Sequence, residues 1–314
     1  MSTQFGIGGT RIGWADVPEH VRSALAARLG ADIVAEVSQP GGFSPGLAAR
    51  LRLADGRRVF VKAVGTERNP ESPEMHRREI EILRALPREL PVPALLDSYD
   101  DGDWVALVIE DVEGSSPALP WRTEEFAEVV RALSALTAQL TPSPIETEPI
   151  EKVHPELFGN WSSFAGDPVG AERLPDWAAD HLDLLVELES AAVDAARGDT
   201  LLHADLRADN LLRTERGIVF VDWPHACLGA GWVDLLALLP SVGMQGGPDL
   251  ETVWQQAIGS AADPDAVNAV LAAFAGFLLI GSLRPAPPNL PGLRTFQRPQ
   301  GDAALGWLRA RCGD

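Results

Sequence analysis

The most constraining stretch of this sequence is a polar octapeptide, His203-Ala204-Asp205-Leu206-Arg207-Ala208-Asp209-Asn210, set between the apolar pairs Leu201-Leu202 and Leu211-Leu212. A further apolar run at 218–221 follows the polar turn 214–217 and ends on Asp222-Trp223, with Asp222 twelve residues after Asn210. Short apolar runs rich in branched side chains and bounded by turn residues read as strands. The spacing therefore predicts that Asp205, Asn210 and Asp222 sit at the ends of short paired strands and converge on one point. An ordinary polar turn uses carboxylates to cap backbone donors, but it does not require this order of His, Asp, Asn and a strand-ending Asp.

These residue types suit phosphoryl transfer. That chemistry needs one carboxylate to orient or deprotonate the attacking hydroxyl, and hard oxygen ligands for the Mg²⁺ that bridges the phosphates of ATP. Asp205 suits the first task, and Asn210 and Asp222 suit the second. His203 reads as a group that orients the loop through hydrogen bonds, with a role as base the alternative.

Around this island the chain changes character. Residues 16–29 read as a short helix, followed by strands at 31–37, 47–54 and 58–63, the last two joined by the hairpin turn Asp55-Gly56. A helix is expected at about 73–86, ended by Pro87, and then strands near 94–99 and 104–109. These segments make a small α+β lobe over residues 1–111, a five-stranded antiparallel sheet with one main helix packed on it. Beyond a linker at 113–117, Phe126, Val129, Val130, Leu133, Leu136 and Leu140 recur at helical spacing. Further helices are expected over about 175–196, 231–240, 250–259, 264–284 and 300–311. Residues 112–314 thus read as a larger, mostly helical lobe that carries the octapeptide, preceded by an insert at about 120–199.

On these motifs the chain resembles the aminoglycoside phosphotransferase and choline kinase family of small-molecule kinases, which are structurally related to protein kinases. The resemblance implies a two-lobed protein-kinase-like fold, Asp205 as the catalytic residue, Asn210 and Asp222 as Mg²⁺ ligands, and ATP as phosphoryl donor, with GTP open. Such a fold also needs a Lys on its third strand to hold the phosphates and a helix Glu to hold that Lys. Val59-Phe60-Val61-Lys62-Ala63 supplies the Lys, flanked by apolar residues in a way that calls for a partner. Glu79, in Arg77-Arg78-Glu79-Ile80-Glu81-Ile82-Leu83, matches the family's Arg-Glu-x-x-x-Leu pattern, with Glu81 its competitor.

The same resemblance extends to weaker positions. In the Gly-rich connection 39–46, Gly41 and Gly42 let backbone N–H groups approach phosphate and Ser44 adds a hydroxyl donor. Glu110 and Val112 fall where main-chain groups meet a purine base. Trp223 stands where protein kinases have the Phe of Asp-Phe-Gly, and no Gly follows, so a fixed metal-binding segment is expected. Asp234 matches a position that pins a helix start to the catalytic loop.

The acceptor must be read from the insert. Asp176, Asp180, Asp183 and Glu187 lie at i, i+4, i+7 and i+11, along one face of a continuous helix. They form either a docking surface for an amine-rich acceptor or a solvated face of an acidic protein. The chain carries 26 Lys and Arg against 45 Asp and Glu, a net charge of −19, and residues 141–199 alone have a net charge of −10. That balance opposes binding to nucleic acid and raises the local concentration of a cation.

The expectation is an ATP- and Mg²⁺-dependent kinase acting on a hydroxyl of a cationic small molecule, either an aminoglycoside-type antibiotic or an amino sugar or amino alcohol. Antibiotic resistance and metabolism use the same constellation. The alternative is a catalytically silent kinase-like fold that binds a ligand or a protein partner, and retention of Lys62, Asp205, Asn210 and Asp222 argues against it. A protein kinase is disfavoured because the chain lacks Ala-Pro-Glu and Asp-Phe-Gly segments. With only Cys227 and Cys312, and a start lacking the basic and apolar regions of a signal peptide, the expected setting is the cytoplasm. The apolar stretch 266–283 approaches spanning length but reads as a buried helix, so no membrane partner is expected.

Overall fold

Residues 11–39, 45–165, 172–286 and 292–313 are described by a computed structural model of the chain. They fall into two units. The first holds the chain up to Ser116 together with Asp209–His225 and Ala286–Leu293; the second holds Pro117–Ala208, Ala226–Pro285 and Arg294–Asp314. The hairpin that carries Asn210 and Asp222 therefore packs with the N-terminal sheet, although most of its sequence neighbours belong to the second unit.

In the first unit, β1 (Ile33–Ser38), β2 (Leu47–Leu53), β3 (Arg58–Gly65), β4 (Leu95–Asp100) and β5 (Trp104–Glu110) form an antiparallel sheet in the order β1-β2-β3-β5-β4. Alternate residues of a strand point to opposite faces. One face carries Leu51, Leu53, Val59, Val61, Ala63, Trp104, Ala106 and Val108, which pack with Val21, Leu25 and Leu29 of α1 (Glu19–Leu29) into one buried cluster. The side chains at 21, 25 and 29 recur every four residues and so lie on one helix face. The opposite face meets α2 (Ser72–Ala85), whose Glu79, Ile80 and Leu83 are buried. Strand β5 is covered on both sides, which is why its run Trp104–Ile109 is apolar without alternation. The short helix expected at 16–29 is α1, which covers the other face.

Two short strands, β7 (Leu211–Thr214) and β8 (Gly217–Phe220), form a separate hairpin in this unit, pairing Leu211 with Phe220. The preceding strand β6 (Thr200–Leu202) does not join it. It pairs instead with β9 (Cys227–Gly229) in the second unit, a strand too short to stand out in the sequence.

The second unit is helical. In chain order it contains α3 (Thr123–Gln139), α4 (Ile150–Val153), α5 (Asn160–Phe164), α6 (Asp176–Asp180), α7 (Leu182–Ser190) and α8 (Ala192–Ala195). After the strands come α9 (Val233–Met244), α10 (Leu250–Ala257), α11 (Pro264–Ser282) and α12 (Leu293–Cys312). Among the described residues α11 alone is long and apolar enough to cross a membrane. It is the core helix of this unit, packed against α5, α7, α8 and α9. Helix α12 runs through Pro299 and starts at Leu293, seven residues ahead of the start expected from the sequence.

Candidate active site

Strand β3 carries Lys62 on the face opposite Val61 and Ala63, toward α2. Its ammonium donates to both oxygens of Glu79, at 2.7 and 2.8 Å, and to Asp222 Oδ1 at 2.6 Å. Glu79 is 2% exposed, which identifies it over Glu81, an exposed residue on the same helix. Burial acts to lower the Lys62 pKa, but the charges of Asp222 and Glu79 outweigh it and the pKa is raised. Lys62 is therefore a stable cation. The Trp223 backbone also bonds to Glu79, so α2 is tied to the segment after β8 as well as to β3.

The β7–β8 hairpin brings Asn210 and Asp222 side by side. Asn210 enters β7 and Asp222 leaves β8, and Val221 N–H donates to Asn210 C=O at 3.0 Å. Asn210 is buried, whereas the Asp222 side chain is about one-third exposed. Asp222 has φ +71°, a left-handed conformation that is costly for a residue with a Cβ. Trp223 is fully buried, and its indole N–H donates to Phe220 C=O at 2.9 Å, which holds the segment in one position.

In the second unit, β6 leads into the loop His203–Arg207. Asp234, in the first turn of α9, accepts from His203 N–H and Ala204 N–H, each at 2.8 Å. Burial pushes the Asp234 carboxyl up, while His203 and the two amides oppose that shift. His203 is fully buried and its Nδ1 accepts from Asp205 N–H at 3.2 Å, the loop-orienting role expected for it. Ala204 has φ +61°. Arg207 donates to Asp205 Oδ1 at 2.7 Å, and its guanidinium lies over the Phe296 ring of α12, 5.9 Å from the centroid. The carboxylate of Asp205 is thereby oriented by a cation that is itself held by an aromatic face.

Other expected positions fare differently. Gly41, Gly42 and Ser44 lie outside the described residues. Glu110 N–H donates to Ala94 C=O at 2.9 Å, and Val112 C=O accepts from Arg50 at 3.2 Å. The four carboxylates of the insert do not share one helix. The helix breaks at His181, whose backbone leaves helical geometry at φ −119°, ψ 26° and whose Nδ1 lies 2.9 Å from Trp177 C=O. Asp176 and Asp180 belong to α6, Asp183 and Glu187 to α7, and all four are exposed. The single acidic face is therefore corrected to two short segments.

Sequence reasoning passed over three residues that the geometry singles out. His76 is buried on α2, one turn before Glu79, and that spacing alone is enough to place it on the same face. Arg11 interacts electrostatically with Asp222, and no local pattern marked it. Arg207 lies within the octapeptide but belongs to none of its motif positions.

A family model described as the phosphotransferase enzyme family matches residues 43–270. The chain belongs to the phosphotransferase enzyme family. It is a phosphotransferase. No curated protein sequence matches it significantly. Solved structures show that this family member has the protein-kinase-like fold. Amicoumacin kinase hAmiN, in complex with AMP-PNP, Ca²⁺ and Ami, is 12% identical with a TM-score of 0.52, covering 92% of this chain and 94% of that one. Aminoglycoside phosphotransferase APH(3'')-Id from Streptomyces rimosus, in complex with ADP and streptomycin, is 18% identical with a TM-score of 0.51, covering 83% and 99%. Choline kinase from Cryptosporidium parvum is 13% identical with a TM-score of 0.52, covering 96% and 91%.

Proposed function

We propose that this phosphotransferase moves the γ-phosphoryl group of ATP, with Mg²⁺, to a hydroxyl of a cationic small molecule. The observation that carries the reading is the contact of Lys62 with both Glu79 and Asp222 at 2.6–2.8 Å, which gathers a phosphate-holding cation and a metal-binding carboxylate in one place. Asn210 and Asp222 offer an amide and a carboxylate oxygen, the hard donors Mg²⁺ prefers. When bound, that ion neutralises charge on the transferring phosphoryl group.

Lys62 holds phosphate oxygens, Glu79 keeps Lys62 in place, and Asp205 accepts the proton of the acceptor hydroxyl as its oxygen bonds to the γ-phosphorus and the bond from that phosphorus to the bridging oxygen breaks, releasing ADP. Arg207 orients Asp205 for that step, and Asp234 fixes the loop backbone. The complexes of the similar kinases with AMP-PNP and Ca²⁺, or with ADP, support use of a nucleotide and a divalent metal. The net charge of −10 over residues 141–199 supports a cationic acceptor, for which aminoglycosides, amino sugars and amino alcohols are the candidate classes. A cytoplasmic setting fits ATP as donor.

The test is ATP turnover with Mg²⁺ across a panel of aminoglycosides, peptide antibiotics, amino sugars and amino alcohols, with Asp205→Asn as control. Turnover that depends on one acceptor class and is lost in the control supports the reading. Absence of nucleotide binding to the wild-type protein overturns it.

A further inference from the structure

We infer that Arg11 is a second cationic ligand for the phosphate chain of the nucleotide, supplied from outside the segment that defines the family. This rests on the kinase reading above and deepens it. Arg11 precedes the matched residues 43–270, so no family motif assigns it a role.

The backbone brings Arg11 close to Lys62. Ile12 N–H donates to Gly46 C=O at 3.4 Å, and Ile12 is buried in the same cluster as Leu47 and Ala63. Gly46 in turn lies hard against β3, since a Cβ there would fall 2.2 Å from Ala63 C=O. Ala63 is the neighbour of Lys62 on that strand, and Leu47 pairs with it. Arg11 is thus carried on a segment anchored at the start of β2, one strand from Lys62. Its guanidinium is partly buried, burial lowers its pKa, and the negative charge of Asp222 opposes that lowering.

Charge balance says what such a cation is for. Lys62 faces two carboxylates, Glu79 and Asp222, so the ammonium alone leaves the group anionic. A nucleoside triphosphate with one divalent ion still carries excess negative charge. Arg11 is the group that brings the protein side to balance, and its planar fork suits phosphate oxygens.

A role confined to pairing with Asp222 makes a different prediction, and the two separate by experiment. Binding of a nucleoside, its diphosphate and its non-hydrolysable triphosphate analogue is measured calorimetrically for wild type, Arg11→Gln and Arg11→Lys, in EDTA and in Mg²⁺, in the adenine or guanine series, whichever the wild type binds. The expected result is a loss of about tenfold or more for both phosphorylated ligands in Arg11→Gln, in EDTA as well as Mg²⁺, with nucleoside affinity unchanged and partial recovery in Arg11→Lys. Loss confined to Mg²⁺ overturns the inference and makes Arg11 a buttress of Asp222. Equal loss for the nucleoside also overturns it, as a general disturbance of the unit. If the wild type binds no nucleotide, the kinase reading itself fails, an outcome distinct from wild-type binding that Arg11→Gln leaves intact.

Discussion

Lys62 Nζ lies 2.6 Å from Asp222 Oδ1, joining residues 160 positions apart in the chain, while the same ammonium holds Glu79. Lys62 is the hub of this buried group, and the cost of removing each member follows from what remains. Breaking a buried ion pair by removing one partner typically costs about 3–5 kcal/mol because the other charge is left uncompensated. Glu79→Ala leaves Lys62 with Asp222, so the expected cost is smaller, about 1–3 kcal/mol. Lys62→Ala leaves two carboxylates without their shared cation and is expected to cost more. Urea unfolding of the two variants checks the order; a larger loss for Glu79→Ala would mean that Asp222 does not share the charge of Lys62.

Ala204 and Asp222 are the two residues other than glycine with positive φ among the described residues, and each flanks or forms a candidate site position. Left-handed backbone costs a residue with a Cβ about 1–2 kcal/mol, a cost that glycine escapes. Ala204→Gly is therefore expected to raise stability by about 1 kcal/mol, less any gain in the freedom of the unfolded chain. An unchanged or lower urea midpoint would show that the loop is not strained at Ala204.

Asp234 satisfies two backbone donors of the loop that bears Asp205. Asp234→Asn keeps the shape but must turn an NH₂ group toward one of those amides, leaving a buried donor unpaired at about 1–3 kcal/mol. Because Asp205 follows directly on this backbone, turnover is expected to fall tenfold or more while nucleotide affinity stays close to wild type. Parallel loss of nucleotide affinity would instead point to a general disturbance.

The legibility of these features in sequence followed the range of the interactions behind them. The five strands of the first sheet emerge within two residues of their expected ends, because apolar runs and turn residues are local signals. Glu79 was favoured over Glu81 by a local Arg-Glu-x-x-x-Leu pattern, and in the structure Glu79 is the buried one of the two. The β6–β9 pairing was invisible because three residues of β9 carry no pattern. No local pattern marks Glu189, yet it is buried and accepts the Asn160, Trp161 and Ser162 amides at 2.8–3.2 Å, capping α5 from 27 to 29 positions away. The break at His181 was missed because apolar periodicity continues across it. The last helix was expected only from residue 300, although α12 starts at Leu293 and passes through Pro299.

Packing also reverses a propensity argument at Gly276. In an exposed helix, Gly→Ala gains about 1 kcal/mol. A Cβ at Gly276, however, would lie 2.6 Å from Trp161 Nε1, and that indole is fully buried and donates to Ala272 C=O at 2.7 Å. Gly276→Ala must displace the ring or lose its hydrogen bond, so a net loss of about 1–3 kcal/mol is expected. Thermal unfolding followed by tryptophan fluorescence measures it, and a stabilised variant would mean that Trp161 has room to move.

His76 gives the chain an acid sensitivity of defined sign. Burial, then the charge of Lys62, holds its pKa at about 3, against 6.5 for an ordinary imidazole. Its Nδ1 lies 3.0 Å from Ser72 C=O, and Nε2 is buried without a hydrogen-bond partner. As pH falls below 6.5 the unfolded chain takes up a proton that the folded chain refuses, so folding stability drops until the folded pKa is reached. One proton of difference corresponds to about 1.4 kcal/mol per pH unit. His76→Gln removes the titration but not the carboxylates that titrate in the same range, so the comparison lies in the slopes and not in the absolute stabilities. Between pH 6 and pH 4 the wild-type stability is expected to fall more steeply than that of the variant by about 1.4 kcal/mol per unit. Parallel slopes would mean that the imidazole titrates in the folded protein as it does in the unfolded chain.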